Sequence, residues 1–295
     1  MSRIGCRRTL LFLTGVCTVG LYASSASAGD YRKGVEAFLK GDRATAILHL
    51  DKVDGEKYPH VFYLRGVILE GREAFGEAAL QFASFTSQVS ESDDLYWPAQ
   101  AHAAYSLAMN RNSPSALRIL ALIPAKSKSK PTQLIAALAN LVIAERSRVE
   151  KFAKASAQRY EYVFKRLDRN CTDAYNGYGR AQLLLSEMGA RDRQVSALEK
   201  ACWGFCEAIR RKDRAVYVNN LGVALYRLDD WVAAEHMFAR AADRTSEQHP
   251  IHEKALKNIR HVKAMRDRHG DRTPRKKCSC NATVLPSDAL PGGAQ

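Results

Sequence analysis

One spacing pattern recurs four times in this chain and limits the folds open to it. A small residue is followed twelve positions later by alanine, four after that by a large apolar residue, and three after that by another apolar one. Gly34 leads to Ala46, Leu50 and Val53; Gly66 leads to Ala78, Phe82 and Phe85; Ala104 leads to Ala116, Leu120 and Ile123; Gly222 leads to Ala234, Phe238 and Ala241. Steps of three and four are the helical period, so each copy reads as two helices joined by a turn. The Gly or Ala lets the two helices approach closely, the alanine sits where they cross, and the large residue fills the space beneath the next copy. No such pair can hide its apolar face alone, so neighbours must stack. Gly41-Asp42, Asn112-Ser113-Pro114 and Asp229-Asp230 mark the turns within pairs. Ser113 reads as an N-cap, with Pro114 at the first helical position.

The pattern resembles the tetratricopeptide repeat. The closest copy spans Ala215–Gln248, with Leu221-Gly222, Leu225, Trp231, Ala234, Phe238 and Ala241 at family positions. The resemblance implies an all-α fold, an α-solenoid of about six helix-turn-helix pairs plus a C-terminal capping helix. The expected organisation is a signal peptide over 1–28, repeats over 29–123, and a loop over 124–131. Degenerate helical repeats follow over 132–211, then a last repeat and capping helix over 212–269, then an expected disordered, basic, cysteine-containing tail over 270–295. Ile251, Ala255, Leu256, Ile259, Val262 and Met265 fall at helical spacing after Pro250, as a capping helix requires.

Composition matters at the two ends. Arg7 and Arg8 precede a short apolar run and then Ala26-Ser27-Ala28, which is the layout of a secretory signal with Gly29 as the first mature residue. Arg7-Arg8-Thr9-Leu10-Leu11 also resembles a twin-arginine export motif. The expected location is therefore periplasmic or extracellular, and export argues against a nucleic-acid partner. The net charge of +14 is concentrated at the carboxyl end. The stretch 260–277 includes Arg266, Arg268, Arg272, Arg275, Lys276 and Lys277, a candidate patch for an acidic partner, lipid headgroups or an envelope polymer.

Of seven cysteines, Cys6 and Cys17 would leave with the signal, and Cys171, Cys202, Cys206, Cys278 and Cys280 would remain. An odd count leaves at least one unbridged within the chain, and an oxidising compartment permits disulfides. Cys202 and Cys206 share a helix face and read as small core residues, while Cys278 and Cys280, in the tail, are candidates for disulfide or redox chemistry. His249 and His252 could join those tail thiols around zinc, but the spacing matches no named zinc module, and no metal is expected.

The chain lacks a phosphate-binding loop, a dinucleotide fingerprint, a G-x-S-x-G elbow, an H-E-x-x-H motif and a C-x-x-C-H haem site. The expectation is accordingly a non-catalytic exported scaffold or adaptor without cofactor or small-molecule substrate, bound to a protein or peptide partner in the cell envelope. The resemblance implies contact along a concave groove lined by the first helix of each pair. Carried over position by position, it selects Tyr63, Glu70, Tyr105, Asn176, Arg180, Asn219, Tyr226 and Arg227. Tyrosines with Asn and Arg suit an extended peptide, because rings pack on side chains while the polar groups bond backbone or carboxylate.

Overall fold

A computed structural model describes residues 26–271 together with Pro274 and Cys278. Residues 1–25 of the expected signal peptide (1–28) and the rest of the tail, including Arg272, Arg275, Lys276, Lys277 and Cys280, lie outside the described residues. The described chain is all-α, with thirteen α-helices, one π-helical turn and no strand. None of these helices is long and apolar enough to cross a membrane.

The chain divides into two compact units at Val142. The first contains α1 (Ala26–Leu39), α2 (Arg43–Leu50), α3 (His60–Gly71), α4 (Phe75–Gln88), α5 (Tyr96–Met109), α6 (Ser113–Leu122) and the start of α7 (Lys130–Ser147). The second contains the end of α7, then α8 (Glu150–Tyr162), the π-helical turn Val163–Leu167, α9 (Thr172–Met188) and α10 (Arg191–Arg211). It is completed by α11 (Ala215–Arg227), α12 (Trp231–Asp243) and α13 (Pro250–His269). In the first unit α3 packs on α4 and also touches α1 and α5; in the second, α11 packs on α12 and also touches α9 and α13. First helices thus touch first helices within each unit, while the second helices α4 and α10 pack closely on the first helices α5 and α11 that follow them.

The atoms explain the recurring spacing. A Cβ added to Gly34 would lie 2.7 Å from the Leu50 side chain, one on Gly66 2.7 Å from the Phe82 ring, and one on Gly222 2.6 Å from the Phe238 ring. In each case the large residue sixteen positions downstream rests on the bare glycine of the first helix. The intervening alanines, Ala46, Ala78, Ala116 and Ala234, are completely buried where the two helices cross.

The turns repeat more faithfully than their residues do. Gly41, Glu73, Arg111, Arg148 and Asp229 all have φ between +56° and +82°, and each stands immediately before the N-cap of a second helix. In four of these turns the N-cap amide donates back to the carbonyl five residues earlier: Asp42 to Ala37, Ala74 to Leu69, Asn112 to Leu107 and Asp230 to Leu225, at 2.8–3.0 Å. A left-handed residue followed by this wide bond is a standard way to satisfy the last carbonyls of a helix. Three of the caps also use side chains: Asp42 accepts from the Thr45 amide at 3.0 Å, Asn112 from Ser115 at 3.2 Å and Asp230 from Ala233 at 3.2 Å. The cap of α6 is therefore Asn112, not the expected Ser113, because the Asn112 carbonyl reaches the free amide of the first turn.

The α8–α10 region keeps the contact but changes the spacing. Gly177 faces Tyr160 on α8, while Gly179 faces Phe205 on α10, so α9 receives an aromatic ring from both sides. The expected turn before the second helix is replaced here by Gly189 with φ −79°.

Candidate functional site

The residues singled out for partner contact fall into two separate groups. In the first unit, Tyr63 is buried on α3 against Phe82, Phe85 and His102, with ring centroids 5.8–5.9 Å apart. It packs the core and presents no face to a ligand, because the Ala103–Phe82 cluster around α3 closes over it. Glu70 is likewise committed inward: its Oε2 lies 2.8 Å from His102 Nδ1, and its Oε1 accepts from the Ser106 hydroxyl at 2.6 Å. The carboxylate ties α3 to α5 through two buried residues, and His102 Nε2 has no hydrogen-bond partner among the described residues. Ser106 bonds the carboxylate and not the imidazole, so the trio lacks the Ser–His contact of an activated nucleophile. Tyr105 is half-buried on α5, edge-on to Phe75 at 6.1 Å.

In the second unit, polar side chains link successive first helices. Asn220 on α11 donates to Asn176 Oδ1 on α9 at 3.0 Å, and Asn258 on α13 donates to Asn219 Oδ1 at 3.1 Å. Asn219 is fully buried, so it serves as an internal link and not as the partner contact expected of it; its neighbour Asn220 is half-buried beside Asn176. A one-residue step turns a helix by about 100°, and carrying over positions by offset from Gly222 picked the inward member of the pair. Arg180 pairs with Glu145 at 2.9 Å. Tyr217 donates to Asp173 Oδ1 at 2.7 Å, and burial, with that carboxylate adding, pushes its phenol up to about 12.

Tyr226 and Arg227 come together at the end of α11, beside a cavity of about 290 Å³ lined also by Glu187, Leu198, Trp231 and Met265. The Tyr226 hydroxyl is 2.8 Å from His261 Nε2 on α13, and burial raises its pKa above the ordinary phenol value. Arg227 donates to the Leu183 carbonyl at 3.2 Å and forms an ion pair with Glu187, which Arg148 also engages at 2.7 Å. Burial alone would push the Glu187 carboxyl up; the two guanidiniums together hold it below the ordinary value. The result is a recess with an aromatic and thioether wall, Trp231 and Met265, and a fixed polar floor. The sequence signalled Tyr226 and Arg227 but not Glu187, Leu198 and Met265, which reach the recess from three other helices.

The basic end is less free than its composition suggests. Arg266 is held by Glu235 at 2.6 Å and by Asp271 at 2.6 Å, and those carboxylates raise its pKa further. Arg268 is exposed, and so are Lys254, Lys257 and Arg260 along the outer side of α13.

Cys202 and Cys206 are buried on α10, as expected of core residues, but they are not inert packing groups. Cys206 is disulfide-bonded, and the Cys202 thiol is hydrogen-bonded to Cys278. That neighbour and burial push the Cys202 thiol well above the usual range. Cys171 is half-buried ahead of α9. His249 Nδ1 accepts from the Ile251 amide at 3.1 Å and His252 Nδ1 lies 3.1 Å from the Ala242 carbonyl, so both rings are engaged at the α13 start. Among the described residues no three His, Cys, Asp or Glu side chains converge as metal ligands.

Compared with protein-family models, with curated proteins and with solved structures, the chain matches none.

Proposed function

We propose that this protein is an exported, non-catalytic scaffold of the tetratricopeptide type, an α-solenoid that binds a segment of another protein in the cell envelope. The observation that carries the reading is the recurrence of one helix-hairpin geometry: a bare small residue under a large one sixteen positions on, and a left-handed residue before the second helix. Repeated hairpins that stack first helix on first helix build surfaces for extended partners instead of enclosed reaction chambers. In this reading the recess beside Tyr226, Arg227 and Trp231 is the contact point, and its size suits one or two apolar side chains of a bound segment.

Affinity capture from an envelope extract tests the reading. A partner retained by the parent protein is expected to be lost with Tyr226→Ala, while that variant keeps the parental helix content. Retention unchanged by Tyr226→Ala would place the binding surface elsewhere. The exposed cations Lys254, Lys257, Arg260 and Arg268 favour a second reading, docking on an acidic surface through α13. That contact would weaken steeply with added salt, whereas the recess contact would change little.

A further inference from the structure

The outward side of the first unit carries an inference beyond the binding of a segment. Leu48, Leu80 and Leu122 are the three most exposed large apolar side chains among the described residues, at 60%, 68% and 66%. A single exposed leucine is ordinary on a protein surface, but these three share a register. Leu48 and Leu80 stand fourteen positions after Gly34 and Gly66, midway between the buried alanine of the crossing and the buried large residue. Leu122 stands two positions after Leu120, the buried large residue of its own copy. A step of two residues turns a helix by about 200°, so each leucine points away from the core of its hairpin. The first helices α1, α3 and α5 touch in succession, which leaves α2, α4 and α6 on the other side of the unit. Exposed small residues accompany the leucines there, Ala44 on α2, Ala83 on α4 and Ala121 on α6, and over them another surface can come close.

Charge selects the occupant. The chain carries +14, yet residues 26–142 hold thirteen Lys and Arg against twelve Asp and Glu. On the outward side of the second helices the exposed Asp51, Lys52, Glu77 and Arg118 cancel one another. A strongly acidic ligand meets no net field at such a face, whereas two copies of a basic chain can approach through it without repulsion. We propose that the outward side of α2, α4 and α6 is a homodimer interface, in which the leucine row of one copy packs on that of a second copy about a two-fold axis. Such a contact uses one patch twice, so an apolar row meets an identical row and mixed charges meet the same mixture. Within this unit the side formed by the first helices stays free for a partner segment. A row of three leucines is narrower than the roughly 800 Å² per partner of a standard interface, so the dimer is weak and reversible.

Sedimentation equilibrium of the full mature chain over a concentration series tests the proposal. The parent is expected to pass from monomer to dimer as concentration rises, equally in low and high salt, and to run as a monomer on a non-reducing denaturing gel. Leu80→Gln removes two leucines per dimer and keeps a good helix former, and it is expected to weaken the dimer about tenfold or more. Leu48→Gln, Leu80→Gln and Leu122→Gln together are expected to give a monomer throughout, at parental helix content. Val232→Gln, at a 54% exposed position of α12 in the second unit, is expected to dimerise as the parent does. A parent that stays monomeric at every concentration, or a dimer that the triple variant leaves intact, would overturn the proposal. So would a dimer that salt dissolves or that a disulfide links. A monomeric parent that pellets with neutral phosphatidylcholine vesicles through these leucines would also overturn it, making the row a lipid contact.

Discussion

Replacing Gly222 with alanine sets two effects of opposite sign against each other. In an exposed helix interior, Gly→Ala stabilises by about 1 kcal/mol through helix propensity. Here the new methyl would lie 2.6 Å from Phe238 Cε1, 2.8 Å from Cδ1 and 3.1 Å from Cζ, against about 3.5–4.0 Å for relaxed carbon contacts. Phe238 is 2% exposed and cannot swing into solvent, so the core must shift, at a cost of about 1–3 kcal/mol. The net expectation is a loss of about 1 kcal/mol, measured as a lower urea midpoint at unchanged slope by far-UV circular dichroism. The decisive measurement is the cycle with Phe238→Leu, which makes room for the methyl. In that background Gly222→Ala should be neutral or stabilising, giving a coupling of about 1–3 kcal/mol. A higher midpoint for Gly222→Ala in the parent, or the same change in both backgrounds, would refute the idea that glycine is required there by the ring.

Glycine at Glu73, Arg111 or Asp229 should raise the urea midpoint, each by up to about 1 kcal/mol, because a left-handed non-glycine residue costs about 1–2 kcal/mol and glycine's unfolded-state entropy takes back part of that. Gly41→Ala should lower it for the same reason. Glu70→Ala should cost at least about 2 kcal/mol, since it strands the buried His102 and Ser106 groups, and Glu70→Gln should cost less; equal losses would deny the carboxylate its bridging role. Because Glu187 is held below its ordinary pKa, the folded state binds fewer protons than the unfolded one in the acid range. Its contribution is present above about pH 4–5 and is lost as pH falls through the folded value, so Glu187→Gln should flatten the acid limb of a stability–pH curve, by well under about 1 kcal/mol for so open a pair.

Wherever one residue type is required, the fold could be read from the sequence. The bare sites Gly34, Gly66 and Gly222, the alanines at the crossings and the large residues beyond them each tolerate few alternatives, so their spacing gave the helix pairs and their turns. The left-handed turn position did not repeat in residue type: Gly, Glu, Arg, Arg and Asp fill one backbone slot, and in four of the five turns a wide hydrogen bond to the carbonyl five residues earlier holds the conformation whatever the side chain. Residues on the candidate surface were harder still. Helical offsets placed Tyr226 and Arg227 at a recess, but the same offsets chose the buried Tyr63 and Asn219, since a face 100° wide does not distinguish its rim from its centre. Glu70 read as a groove acid, and its burial depended on His102 and Ser106, thirty-two and thirty-six residues away. The Cys202–Cys278 contact spans a still longer separation that no local pattern encodes.

The glycine-and-ring contact has a consequence for how the chain acquires its fold. Each large residue meets its small partner only sixteen positions back, so a helix hairpin can close as soon as its second helix has been made, with a short loop to order and no distant strand to await. Assembly can then proceed from the first hairpin onward as the chain emerges, each new hairpin finding a finished surface to dock on. The α8–α10 stretch is the exception. Gly179 waits twenty-six residues for Phe205, and that stretch is where folding in vitro should pause.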